Sequence, residues 1–298
     1  MKKIIALLLV AATLFALCAC GNKTEGTTTT TGTAAETNAS GIKTGVEDGV
    51  LTVAMECAYA PYNWSQADNS NGAVPIKDSN EYANGYDVMM AKKICEANGW
   101  SLEIVRLDWD SLVPAVQTRQ VDAVIAGQSM TPDRMEQVDF AGPYLYATIV
   151  CLTKANSKFA AAASLKDLAG ATCTSQIGTI WYDTCLPQAK ALGAVVQEAK
   201  ASAPDMLAAL ETGAVDFVCT DRPTAQGALI AYPDMVMLEF TGENGFKVDQ
   251  SDINIGISVA KGNTVLKNKI DSAISGMDEA AFNTVMNDAI KIQPISND

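Results

Sequence analysis

The chain has 298 residues, 34 acidic against 21 basic side chains, a net charge of −13 and no histidine. A body this acidic is repelled by nucleic acid and by anionic lipid surfaces, so no nucleic-acid partner is expected. The missing histidine removes the commonest general base and the commonest neutral metal ligand. Hydrolase triads and most zinc sites drop out, and no cofactor, metal or catalytic residue is expected.

Lys2 and Lys3 precede an apolar run, residues 4–19, interrupted only by Thr13, that ends Leu17-Cys18-Ala19-Cys20-Gly21. A positive start, an apolar stretch and small residues at its end are the layout of a secretion signal. Leucine three residues before Cys20 and alanine just before it resemble a bacterial lipobox. Cys20 is therefore the expected lipidated first residue of the mature chain, holding it by lipid on the outer face of the cell membrane. Cys18 is the weaker candidate because bulky Leu17 precedes it. Residues 21–48 are rich in Thr, Gly, Ala and Ser, too polar to bury a core, and read as a flexible tether. Six further cysteines, Cys57, Cys95, Cys151, Cys173, Cys185 and Cys219, show no CxxC spacing. Cys95, Cys151 and Cys219 lie in apolar settings as buried thiols. A Cys173–Cys185 disulfide stays open in an exported chain.

Beyond the tether, strand-like and helix-like stretches alternate, which predicts an α/β fold. Residues 50–55 read as a strand, 88–98 as a helix closed by Gly99, and 101–107 as the next strand. Ser111 is expected to cap a helix running to about Arg119, and 121–126 is a buried strand. Thr131 caps a short helix with Pro132 at its first position. Residues 112–127, LVPAVQTRQVDAVIAG, are echoed at an offset of 94 by 206–221, MLAALETGAVDFVCTD. The echo matches at Ala115/Ala209, Thr118/Thr212, Val121/Val215, Asp122/Asp216 and Val124/Val218. Two similarly built lobes follow, with ligand expected beyond the carboxyl ends of their strands. The predicted first lobe combines 49–147 with 260–298, and the second is 152–252. The crossings are placed on the apolar strands 148–153 and 253–259. Residues 265–292 have helical apolar spacing and are expected to pack back on the first lobe.

Arg134, one turn beyond Pro132, is the candidate clamp for a small carboxylate, because a planar guanidinium binds a carboxylate through two parallel hydrogen bonds. Gly127 permits close backbone approach, and Ser129 adds a hydroxyl. Segment 109–144, WDSLVPAVQTRQVDAVIAGQSMTPDRMEQVDFAGPY, resembles the ligand-binding core of bacterial solute-binding proteins for polar amino acids (extracellular solute-binding protein family 3). The pattern there runs roughly "LIPAL…GKxDAIIAGMSITPER…DFSxPY". That resemblance implies a two-lobed periplasmic-binding-protein-like fold of type II with a two-strand hinge. It also implies that Ser129 and Arg134 grip the ligand carboxylate, with Ala126 and Gly127 beside them.

Asp221 stands at the mirror position to Gly127, and the resemblance implies that it binds the α-ammonium. As a bare sequence feature it reads first as a solvated turn or helix-cap aspartate. Gln176-Ile177-Gly178-Thr179-Ile180 is similar to the family's "QxGTT" loop and implies contacts from Gly178, Thr179 and Ile180. The segment 55–64 resembles the "D-x-x-YAPF" loop, and Gly85-Tyr86-Asp87 resembles "GFD". Tyr59 and Tyr86 are then expected to wall the side-chain pocket with aromatic faces, with Trp64 and Trp109 as further candidates. Asp87 is expected to cap or stabilise the following helix. Glu56 falls where members that bind basic amino acids carry an acidic side chain.

The expected function is a monomeric, lipid-anchored receptor that closes on a polar L-amino acid by hinge motion and delivers it to the permease and ATPase of an ABC importer. Arginine or another basic amino acid stands first, then glutamine. Two alternatives remain: a same-fold enzyme similar to cyclohexadienyl or arogenate dehydratases, and an amino-acid sensor module.

Overall fold

A computed structural model describes residues 43–294. The signal segment, Cys20 and all of the tether before residue 43 lie outside the described residues. The first half comprises β1 (Val50–Met55), β2 (Ala58–Tyr59), β3 (Asn63–Gln66), β4 (Val74–Pro75), β5 (Tyr82–Asn84), α1 (Tyr86–Asn98), β6 (Ser101–Arg106), α2 (Trp109–Gln117), β7 (Ala123–Val124), α3 (Pro132–Gln137) and β8 (Val138–Leu145). The chain continues through β9 (Ile149–Lys154), β10 (Thr172–Thr174), α4 (Leu186–Ala191), β11 (Val195–Val196), α5 (Ala203–Glu211), β12 (Phe217–Asp221), α6 (Arg222–Ala231) and β13 (Met235–Leu238). It closes with α7 (Gln250–Ile253), β14 (Ile255–Ala260), α8 (Thr264–Ile274) and α9 (Glu279–Ile292).

Two five-stranded sheets carry the two lobes, in the orders β6-β1-β7-β14-β8 and β11-β10-β12-β9-β13. They share one plan. Three parallel strands are joined through helices (β1-α1-β6-α2-β7, then β10-α4-β11-α5-β12), and each sheet is completed by one antiparallel strand (β14, β9) and a further strand antiparallel to that one (β8, β13). A parallel strand covered by helices on both faces must be apolar throughout. Val53, Ala54 and Met55 of the parallel strand β1 are accordingly buried, and so are all six residues of the antiparallel β14, which lies between β7 and β8.

Local signals end the helices where expected. Gly99 takes φ 70° and its N–H reaches the Cys95 and Glu96 carbonyls. Thr131 accepts the Arg134 N–H with Pro132 at the first helical position. Asp278 caps α9 by accepting the Ala281 N–H. Ser111 is not a cap: α2 begins two residues before it, after Asp108. The strand expected at 121–126 is assigned only at β7, although the Asp122 and Ile125 N–H groups still bond to the Thr52 and Ala54 carbonyls of β1.

The two strands expected as crossings each belong to one sheet: β9 lies between β12 and β13, and β14 between β7 and β8. The passages between sheets fall instead on 146–148 and on the stretch after Lys247, which still pairs with Gln188 of the second lobe. Residues 58–84 form a separate four-stranded sheet, β2-β3-β5-β4. Strands of two to four residues carry too little alternation to be read from sequence. The helices α8 and α9 pack on α1 and β8. All six described cysteines are buried free thiols, Cys173 and Cys185 included.

Candidate functional site

The echoed segments end in different backbone, left-handed at Gly127 and extended at Asp221. In the first lobe, the strand end passes through Gly127 (φ 63°). A Cβ there would stand 2.8 Å from Tyr59 Cε1, so glycine is required for the close approach of the Tyr59 ring to this strand end. In the second lobe, β12 ends on Asp221, which becomes the N-cap of α6.

Tyr59, Trp109, Gly127, Ser129, Arg134 and Thr179 line one small, nearly closed cavity of about 10 Å³, completed by Gln176 and Trp181. Six of these eight positions are candidates from sequence. Arg134 is fixed across the cleft: Nη1 donates to the Ser129 carbonyl at 2.9 Å and Nη2 to the Gly178 carbonyl at 2.8 Å. Its guanidinium lies 5.1 Å from the centre of the Trp109 ring, a cation–π geometry. Burial lowers its pKa to about 10, still far above neutrality, so it stays charged. A guanidinium has five N–H donors, so those not spent on carbonyls remain for an anion in the cavity.

Gly127 contributes space rather than a donor. Its N–H bonds to the Tyr144 hydroxyl at 3.1 Å, which in turn donates to Asp87 Oδ1 at 2.6 Å. Asp87 therefore does not cap α1: it also accepts from Asn63 Nδ2 at 2.8 Å, and burial raises its pKa to about 7. This buried carboxyl anchors the strand-end loop through Tyr144. Ala126 is buried beside it.

Glu56 borders an adjoining, larger cavity that shares Trp109 with the first and is also lined by Asp108, Asp110 and Asp205. Its Oε1 accepts from Gln176 Nε2 at 3.2 Å, whereas its buried Oε2 has no hydrogen-bond partner. Burial raises its pKa to about 7 against the opposing Gln176 bond. A buried carboxylate oxygen without a donor is costly, and this one marks where a donor from a ligand would be most welcome.

The remaining candidates sit elsewhere. Gly178 and Ile180 line the cleft mouth together with Arg134 and Thr179. Thr179 donates to the Gln176 carbonyl at 2.7 Å, which holds that loop in shape. Tyr86 is core: its hydroxyl donates to the Tyr144 carbonyl and its ring stacks on Tyr144 at 5.5 Å, with no face toward the cavity lining. Trp64 lines a separate groove with Cys57 and Leu207.

Asp221, fully buried, is enclosed by two tyrosines from the first lobe. Its Oδ2 accepts from the Tyr62 hydroxyl at 2.7 Å and the Tyr59 hydroxyl at 3.2 Å, and its Oδ1 from the Thr224 N–H at 2.9 Å. It does not line the small cavity; Tyr59 stands between. Gln176, Trp181 and Tyr62 were missed as site residues in the sequence. The first two lie two positions either side of the Gly178-Thr179 pair, and Tyr62 follows Tyr59 by three positions, so proximity to recognised loops was the available signal.

Among known proteins, an arginine-binding extracellular protein of Bacillus subtilis (strain 168) is 32% identical over 180 residues, 60% of this chain and 58% of that protein. The matched stretch thus spans under two thirds of that relative's length. ABC transporter arginine-binding protein 1 of Escherichia coli (strain K12) is 26% identical, covering 65% of this chain and 75% of that protein. An ancestral arginine-binding protein has been solved with arginine and with glutamine. Both structures are 27% identical, with TM-scores of 0.65 and 0.63, and cover 80% of this chain and 97% of theirs. These neighbours share the two-lobed α/β architecture described above. The sequence profile of the bacterial extracellular solute-binding proteins, family 3, matches residues 51–283, and the chain belongs to that family.

Proposed function

We propose that this protein is an exported receptor for a polar L-amino acid, arginine or another basic amino acid first and glutamine next. The observation that carries the reading is the pairing of opposite charges at the two strand ends. Arg134, with donors to spare, faces the cavity from one side, and the Asp221 carboxylate lies just behind Tyr59 on the other. An α-amino acid presents a carboxylate and an ammonium, and these two groups answer both. Ser129, Thr179 and the Trp109 and Tyr59 rings complete the enclosure. Glu56 Oε2, buried without a donor, favours a cationic tail over a neutral one.

In this account the lobes close on the ligand by motion about the two passages between the sheets, excluding water. Cys20 anchors the chain by lipid, and the loaded monomer hands its cargo to an ABC importer. No covalent step is required. The named relatives include an ABC transporter arginine-binding protein, which supports the importer assignment.

A thermal-shift panel of the twenty amino acids with ornithine and cystine tests the reading. A ligand at a hundred times its Kd raises stability by about 2.7 kcal/mol, so at least one basic amino acid is expected to raise the Tm by several degrees. No shift with any of them refutes amino-acid binding. One observation favours a second reading: a buried Glu56 carboxyl with a pKa of about 7 is suited to general-acid chemistry on a prephenate-like acid. Phenylpyruvate or phenylalanine formed from prephenate or arogenate would establish it, and unchanged substrate would dismiss it.

A further inference from the structure

The Asp221 carboxylate is already occupied by the protein, and the manner of that occupation has consequences. Oδ2 accepts two phenol hydroxyls, which fills both of its lone pairs. The two bonds are unequal. Tyr62, fully buried and outside the cavity lining, makes the short one at 2.7 Å. Tyr59 makes the longer one at 3.2 Å, and its hydroxyl is shared, accepting from Thr224 Oγ1 at 3.0 Å.

Only Tyr59 touches both sides. Its ring lines the cavity, stacks on Tyr62 at 4.7 Å and meets Trp181 at 6.2 Å, while its hydroxyl reaches out of the cavity to Asp221. Tyr59 belongs to the first lobe, and Asp221 and Thr224 to the second. The contact is thus a bond between lobes made by the protein's own groups.

We propose that the Tyr59 hydroxyl is an internal stand-in for the ligand's ammonium: it occupies Asp221 between the lobes and yields that position when an amino acid binds. This rests on the reading of Asp221 as the ammonium anchor. An ammonium carries a full charge and three donors, and charge-assisted hydrogen bonds are about twice as strong as neutral ones, so the exchange runs in the ligand's favour. Tyr62 keeps its bond and holds the carboxylate in place. The ligand nevertheless competes with Tyr59, so its affinity is lower than the site alone would give, and the empty protein is biased toward closure.

The sign of one substitution tests this. Tyr59→Phe keeps the aromatic wall and removes the competitor. By calorimetry, Kd for L-arginine and for L-glutamine is expected to fall by about three- to tenfold, the worth of one neutral hydrogen bond. The factor is expected to be the same for both, because the ammonium is common to them. Small-angle scattering of ligand-free Tyr59→Phe is expected to show a more extended particle than wild type. Unchanged or weaker binding, or a gain confined to one amino acid, overturns the proposal. If Tyr59→Phe fails to fold, Thr224→Val, which removes the second partner of the Tyr59 hydroxyl, is expected to tighten both ligands by a smaller common factor. Weaker or unchanged binding in that variant likewise overturns it. Asp221→Asn separates the two layers. If it leaves both affinities intact, the ammonium assignment fails and this proposal with it. If it weakens both while Tyr59→Phe does not tighten either, only the proposal fails. Binding of neither amino acid to the wild type overturns both.

Discussion

In the first lobe, Asp122 accepts the Thr52 N–H at 2.8 Å and donates its own N–H to the Thr52 carbonyl at 2.9 Å; in the second, Asp216 does the same with Thr172 at the same two distances. Thr118 and Thr212 each return a hydroxyl to the carbonyl four residues back, both at 2.8 Å. Arg119 and Gly213, at equivalent positions, both take left-handed backbone, with φ 60° and 74°. The helix, turn and strand of 112–127 and 206–221 are one device used twice. The last residues then part company. One copy opens through Gly127 and Ser129 toward Arg134, and the other stops on Asp221. The shared frame fixes where a strand end points, and the divergent residues decide which charge it offers.

Removing the charge from one end should break the comparison most severely. Arg134→Ala is expected to weaken every amino-acid ligand by more than about a hundredfold, on the scale of lost charge-assisted hydrogen bonds (~3 kcal/mol), as read by calorimetry. Retained affinity for any amino acid would place the carboxylate elsewhere.

Glu56 lies outside both copies and should act on the tail alone. Glu56→Gln is expected to cost arginine about tenfold in Kd and glutamine little. Burial holds the Glu56 pKa at about 7, so below that pH the empty protein carries a proton that a cationic tail must expel. Arginine affinity of the wild type should therefore rise as pH increases through 7 and level off above it, while glutamine affinity should not rise. Parallel profiles for both amino acids would remove Glu56 from the specificity account.

Stability variants address the shared frame. Asp122→Ala and Asp216→Ala should each cost about 1–3 kcal/mol, the penalty for stripping a buried backbone donor of its partner. The second should cost more, because Asp216 also accepts from Thr172 Oγ1. The smallest effect belongs to the turn. Gly213→Ala should cost ~1 kcal/mol, because a side chain is disfavoured in left-handed backbone. Arg119→Gly should change stability less: its relief is offset by a more flexible unfolded chain and by loss of the bond from Arg119 to the Lys43 carbonyl. A negligible cost for Gly213→Ala would show that the left-handed turn imposes no constraint on the shared frame.

How much of this was legible in the sequence follows from the kind of interaction involved. The echo could be read because the matching residues recur at one offset of 94 whatever their partners: a threonine at a helix end, apolar strand positions, and an aspartate whose bond to the neighbouring strand spans 70 residues in one copy and 44 in the other. Thr131, Pro132 and Gly99 could be read because they act within a turn of their own position. What could not be read depends on partners far along the chain. Tyr59, Tyr62 and Tyr86 are chemically alike, yet Tyr86 joins Tyr144 in the core while the other two reach Asp221, some 160 residues away. Asp87 looks like a helix-start aspartate, and only the fold brings Tyr144 and Asn63 to it. Asp221 shows both faces of the problem: its capping of α6 is local and legible, whereas its enclosure by tyrosines from the other lobe is not.

The central claim is that the two strand ends hold the two charged ends of one amino acid. A crystal structure of the protein with L-arginine tests it most directly. The account predicts the ligand carboxylate on Arg134, its ammonium on Asp221 in place of the Tyr59 hydroxyl, and its guanidinium toward Glu56 Oε2. A reversed ligand, or one that leaves Asp221 wholly to its two tyrosines, would contradict it.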